Sequence, residues 1–115
     1  MLEAEGYRLM GAAFEVYNRL GYGLAEEVYQ QSLEIELSLR EIRHRSKRKL
    51  VVFYKDQQLE TRYAPDLLVD DAIIVELKAV AELSTEHEAQ LFNYLRIARQ
   101  PVGYLLNFGK KGELQ

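Results

Sequence analysis

Pro65-Asp66-Leu67-Leu68-Val69-Asp70-Asp71-Ala72-Ile73-Ile74-Val75-Glu76-Leu77-Lys78 contains an anomaly: two charges inside a nearly unbroken apolar run. Ala72 to Val80 otherwise has the profile of a strand buried on both faces. Side chains alternate along a strand, so Glu76 and Lys78, two apart, point to the same face. A lone carboxylate or ammonium is costly to bury unless it is paired or bound to a metal. On these two residues alone, a buried Glu76–Lys78 ion pair explains the pattern as well as a reactive site does. Asp66 changes that balance. A turn at Asp70-Asp71 folds the preceding strand back beside this one, and Asp66 and Glu76 lie at similar distances from it. Two adjacent carboxylates repel, and a divalent cation such as Mg²⁺ relieves the repulsion while taking oxygen ligands. Lys78 on the same face can orient an attacking water and stabilise the charge of a pentacovalent phosphate, while the cation acidifies that water.

Outward from this pair the periodicity is readable. Met10, Ala13, Phe14, Tyr17 and Leu20 recur at helical spacing and predict a helix from Leu2 to Leu20. Gly21 and Gly23 end it in a turn. A second helix is predicted from Ala25 to Arg40, with Val28, Tyr29, Leu33, Ile35, Leu37 and Leu39 on its apolar side. Polar Arg40 to Lys49 reads as a connection. Leu50 to Tyr54 is a strand, Lys55 to Gln58 a turn, and Leu59 to Val69 a second strand, irregular around Pro65, which cannot donate to a ladder. Thr85 and Glu88 have capping-box spacing, so a helix should begin near Glu86. Leu91, Tyr94, Leu95 and Ala98 form its stripe, Pro101 stops it, and Val102 to Phe108 is the last strand. Gly109 to Gln115 reads as a flexible end.

The bulk numbers bound the class. The chain has 115 residues, 48% hydrophobic and 29% charged, as expected of one globular domain spanning 1–115. No apolar run approaches the ~18–20 residues of a membrane span, so no membrane partner is expected. The first residues lack the pattern of a secretion signal, and a cytoplasmic location is the expectation. Without cysteine there is no disulfide, thiolate nucleophile or cysteine-bound zinc. A net charge of −3 argues against non-specific coating of nucleic acid, which needs a basic surface. A metal-binding acidic site would itself lower that total.

Pro65-Asp66…Glu76-Leu77-Lys78, in a turn-connected strand pair followed by a helix, resembles the motif of the PD-(D/E)xK nucleases. The element order also resembles their αβββαβ core. Gly23-Leu24-Ala25-Glu26-Glu27-Val28-Tyr29 looks like the signature of the GxxExxY proteins, a prokaryotic branch of that superfamily. The likeness continues through Glu36-Leu37, Tyr54-Lys55, Asp66 to Val69, Ile74 to Val80, Gln90 to Leu95 and Asn107-Phe108-Gly109, nearly the whole chain. The resemblance implies a restriction-endonuclease-like α/β fold, a mixed sheet of about four strands flanked by helices. It also implies one or two Mg²⁺ or Mn²⁺ ions. Asp66 and Glu76 would be the metal carboxylates, Glu26 an additional acidic ligand, and Lys78 the catalytic lysine. Gln90, in a Q-x-x-x-Y with Tyr94, would bond a phosphate or a metal-ligating carboxylate.

Blander readings stand beside these. Glu26 at a helix start also complements the helix dipole, and Gln90 serves equally to satisfy backbone groups. Tyr29 reads as a core or supporting residue, and His87 as a surface histidine at a helix end. The basic run Arg40, Arg43, His44, Arg45, Lys47, Arg48 and Lys49 can hold a phosphate backbone, but a solvated connector before an edge strand explains it slightly better. The expectation is therefore metal-dependent phosphodiester hydrolysis in DNA, with RNA less favoured. The alternative is a non-catalytic nuclease-fold scaffold acting as a homodimer or with a partner protein.

Overall fold

The computed structural model describes residues 2–115. It begins with two helices, α1 (Glu3–Leu20) and α2 (Glu26–Leu39), packed together. Then come β1 (His44–Ser46), β2 (Leu50–Tyr54), β3 (Gln57–Tyr63), β4 (Leu67–Val69), β5 (Ile73–Lys78), α3 (Thr85–Ile97) and β6 (Val102–Asn107). The central sheet has the order β1-β4-β5-β6, with β5 and β6 parallel and the other pairs antiparallel. The helix α3 is the crossover that a parallel pair requires. This is a restriction-endonuclease-like mixed α/β fold with a four-stranded sheet.

Four strands were expected, but the membership differs. Leu50–Tyr54 lies outside the sheet, and His44–Ser46, read as connection, takes an edge. The predicted strand Leu59–Val69 is two strands in two sheets: β3 pairs only with β2, and β4 joins the core. Pro65 supplies the break, because it has no N–H to give a ladder. From Gln57 to Arg62 every residue is exposed, so this segment cannot be buried on two faces and stays a surface ribbon. Val52 and Tyr63 anchor the ribbon.

Both first helices bury narrower stripes than expected. In α1 the buried residues include Leu9, Ala12, Ala13, Val16 and Tyr17, while Phe14 and Leu20 face solvent. In α2, Tyr29, Leu33 and Leu37 are buried at four-residue spacing, and Val28, Ile35 and Leu39 are exposed. Ile35 is about 200° from Leu33 and from Leu37 around the helix, so one flat sheet cannot cover both sides.

The alternation of β4 and β5 sorts the interior into two layers. Leu67, Val69, Ile73, Val75 and Leu77 face α1 and α2, in a cluster completed by Leu106 and Phe108. Leu68 and Ile74 face the other way, under Leu91, Ala98, Val52 and Tyr63. Asp66, Glu76 and Lys78 share the parity of Leu68 and Ile74, so they extend this second face toward the sheet's end.

The last seven residues are bound rather than loose. Asn107, fully buried, exchanges two backbone hydrogen bonds of 2.8 and 3.0 Å with half-buried Gln115. The Asn107 side chain donates to the Val80 carbonyl and Gln115 Oε1, each at 2.8 Å, and accepts from the N–H groups of Val80 and Gly109 at 3.0 Å. A Cβ on Gly109 would stand 2.3 Å from the Val80 nitrogen, so only glycine allows this approach. The network fixes the loop that follows Lys78.

Candidate functional site

The register Leu67↔Val75 places Asp66 across from Glu76 at the next rung. There the ladder passes to side chains. Glu76 Oε1 accepts from the Asp66 N–H at 2.9 Å, and Asp66 Oδ2 accepts from the Leu77 N–H at 2.7 Å. Each carboxylate is thus oriented by the other's strand. Partial burial, and then the negative charge of Asp66, hold the Glu76 carboxyl above the ordinary glutamate range, against the N–H bond that pulls it down. Lys78 is half-buried, and its ammonium makes no hydrogen bond or ion pair with any described residue.

Glu26 is the first residue of α2, delivered by the glycine turn at Gly21 (φ 71°) and Gly23 (φ 98°), conformations that favour glycine. The turn is fastened from below by buried Tyr29. Its hydroxyl donates to the Gly21 carbonyl at 2.6 Å and accepts from the Leu24 N–H at 3.2 Å, and its ring stacks on Phe108. Tyr29 is therefore the supporting residue the sequence suggested. Partial burial and then the charge of Asp66 raise the Glu26 carboxyl, while Lys78 and Lys47 oppose the rise. The three carboxylates and Lys78 thus share one electrostatic neighbourhood at the sheet's open end.

Gln90 is less closely drawn in. It is exposed on α3, and its side chain forms no hydrogen bond with any described residue. It lines an open groove of about 540 Å³ with Glu86, His87, Asn93 and Tyr94, and this groove does not include Asp66, Glu76 or Lys78. Its link to the carboxylates is indirect: Tyr94, one turn on, stacks on Tyr63 with ring centroids 4.1 Å apart. His87 acts as a cap. The helix begins one residue earlier than the Thr85–Glu88 spacing suggests: Ser84 accepts from the His87 N–H at 3.2 Å, and His87 Nδ1 accepts from the Ser84 N–H at 3.1 Å.

Three more residues complete the surroundings: Gln30 and Tyr63, which sequence reasoning missed, and Lys47, which it named only within the basic run. Lys47 Nζ reaches Asp66 Oδ1 at 3.2 Å. Buried Gln30 donates to the Asp66 carbonyl at 2.9 Å, holding the strand that carries the carboxylate. Tyr63 is buried, and its hydroxyl has no partner of hydrogen-bond geometry. Burial, and then the Glu76 charge, push this phenol far above its ordinary value. Gln30 was findable, since it lies one turn after Glu26. Lys47 and Tyr63 were not, because their places depend on the edge pairing of β1 and on the break at Pro65.

Among the described residues, no three His, Asp or Glu side chains are arranged to hold an ion by themselves. The donor set still suits a hard cation. It is all carboxylate oxygen, and Glu26 and Glu76 are raised by partial burial and then by the charge of Asp66, a charge a divalent ion relieves. Mg²⁺ in particular keeps several waters and needs only one or two carboxylates.

An α/β domain with carboxylates and an unpaired lysine gathered at one end of its sheet defines the class as restriction-endonuclease-like. The family model of the PD-(D/E)XK nuclease superfamily matches residues 3–115, and the chain belongs to that superfamily. No curated protein and no solved structure matches it. No helix among the described residues is long and apolar enough to cross a membrane.

Proposed function

We propose that this chain is a divalent-metal-dependent nuclease that hydrolyses phosphodiester bonds, with DNA as its substrate. The observation that carries the proposal is the meeting of Asp66, Glu76 and Lys78 on one face at the sheet's open end, within the field of Glu26. Asp66 and Glu76 would hold Mg²⁺ or Mn²⁺, with Glu26 as a further oxygen donor. When bound, the ion polarises the phosphoryl oxygen and favours attack by water. The Lys78 ammonium, in no hydrogen bond or ion pair with a described residue, is free to orient the nucleophile and to stabilise charge on the phosphate. Gln90 would bond a phosphate along the α3 groove. The Gly23–Tyr29 block supports placement in the prokaryotic GxxExxY branch, and the composition supports a cytoplasmic protein.

A second reading, a non-catalytic scaffold acting as a dimer or with a partner, is favoured by one observation. Asp66 and Glu76 already accept backbone N–H bonds that close the strand pair, so both have structural work without a metal. Metal-dependent cleavage of single-stranded, duplex and branched DNA, compared between wild type and Lys78→Ala, separates the two. Cleavage by the wild type alone supports the nuclease. If wild type cuts none of these and calorimetry finds no Mg²⁺ or Mn²⁺ binding that Asp66→Ala abolishes, the enzyme reading falls.

A further inference from the structure

The fold divides the basic run Arg40–Lys49 by role. Arg40 pairs with Glu36 along α2, and Arg43 and Arg45 both pair with Asp71, away from the carboxylates. Only Lys47 reaches them. Register explains why: Ser46 stands opposite Leu67 in the β1–β4 ladder, so the next residue falls opposite Asp66. Lys47 meets Asp66 twice, its N–H on the carbonyl at 3.3 Å and its Nζ on Oδ1 at 3.2 Å. The backbone turns left-handed at Lys47 (φ 54°), which ends β1 there.

The two halves of this contact differ in kind. The backbone bond fixes where Lys47 sits. The ammonium hangs on a flexible four-carbon stem, and its side chain is 57% exposed. A solvated ion pair of this sort contributes little, so a competing cation displaces it easily. Lys47 also lies in the field of Glu26 and Glu27, so its charge stands where the acidic site most needs one. Lys78 differs: it rises from the central strand β5 and forms no ion pair with a described carboxylate.

We propose that Lys47 is a placeholder cation. It neutralises Asp66 while no divalent ion is bound, releases the carboxylate when the ion arrives, and then grips a phosphate of the substrate strand. Freed from Asp66 but still tethered by its backbone, the ammonium remains on the rim of the site. This proposal rests on the metal-dependent nuclease reading. It assigns the two lysines separate tasks, Lys78 at the reacting phosphate and Lys47 in exchange between metal and substrate.

The test compares wild type, Lys47→Gln and Lys47→Arg by calorimetric titration with Mn²⁺ alone and by steady-state cleavage of duplex DNA. Lys47→Gln removes the charge and keeps a polar side chain one atom shorter; it should bind Mn²⁺ several-fold more tightly and show a several-fold higher KM for DNA. Lys47→Arg keeps the charge and should leave both near the wild-type values. A residue that merely positioned Asp66 would give the opposite metal result, because Mn²⁺ binding would weaken when it was lost. Equal or weaker Mn²⁺ binding by Lys47→Gln, or an unchanged KM, overturns the placeholder while leaving the nuclease standing. Should Lys47→Gln not fold, Lys47→Met decides by the same two readouts. Wild type that neither binds Mn²⁺ nor cuts DNA overturns both proposals.

Discussion

The two faces of the central sheet are built differently. Toward α1 and α2 the sheet is paved end to end with aliphatic side chains, and the ring pair Tyr29–Phe108 closes the layer. Toward α3 and the β2–β3 ribbon, only part is apolar. Leu68 and Ile74 lie under Leu91, and beyond them the same face carries Asp66, Glu76 and Lys78. One layer supplies stability along its whole length. The other is cut short, and the charged groups occupy the part left uncovered. A site needs polar groups on a rigid support, and here the thick layer is the support for the thin one.

That comparison can be broken most sharply at Phe108. Phe108→Ala opens a cavity in the thick layer and should cost about 3–5 kcal/mol in urea unfolding, whereas Leu91→Ala in the thin one should cost nearer ~2 kcal/mol. Equal losses would mean that the layers bear equal weight. Lys78→Ala should act on the other side of the ledger, lowering cleavage by roughly 100-fold, about 2.7 kcal/mol, with the melting temperature unchanged. A fall in melting temperature alongside activity would make Lys78 a structural residue.

Next in size is the response to metal. An ion that binds only the folded chain should stabilise it by about 2.7 kcal/mol at a hundred times its Kd, and Asp66→Ala should abolish the shift in melting temperature. Smaller is the effect of proton loss. Glu76 and Glu26 are easier to protonate in the folded chain than at the ordinary value of 4.5. Their contribution therefore favours folding below that value and is lost as pH rises through the raised folded pKa. Glu76→Gln keeps the acceptor for the Asp66 N–H and removes the charge. The metal-free variant should melt higher than wild type at neutral pH, with the gap closing by about pH 4. A gap independent of pH would refute the cost that burial, and then the charge of Asp66, places on the ionised Glu76. Smallest is Tyr63→Phe, which deletes a buried hydroxyl with no partner of hydrogen-bond geometry among the described residues. Stability should be unchanged or higher by up to about 1 kcal/mol, with the Tyr94 stack preserved.

Much of this was legible in the sequence, for physical reasons that also mark where legibility stopped. Strand β5 announced itself because a buried apolar run tolerates charge only where something answers it, and the Asp70-Asp71 turn then set Asp66 beside Glu76. Helices α1 and α2 were found by period, yet which of Ile35 and Leu37 went inside depended on the sheet they met. The strand His44–Ser46 gave no signal, since a polar edge strand lacks alternation and takes its conformation from its neighbour. The contact of Lys47 with Asp66 was hidden for the same reason. The tail after Phe108 looked loose because its order comes from Asn107 side-chain bonds, which no periodicity records.

The crossed bonds between Asp66 and Glu76 also bear on how such domains age. Each carboxylate receives an N–H from the opposite strand, where ordinary ladder pairing gives out. Deleting either side chain strands a partly buried donor as well as removing an acid. A descendant released from any need to cut would still be pressed to keep both residues, for the sake of its hairpin. In this fold the acidic pair serves as carpentry whatever its chemistry, and the lysine two residues on, whose ammonium fastens no described residue, is the sharper test of the proposed activity.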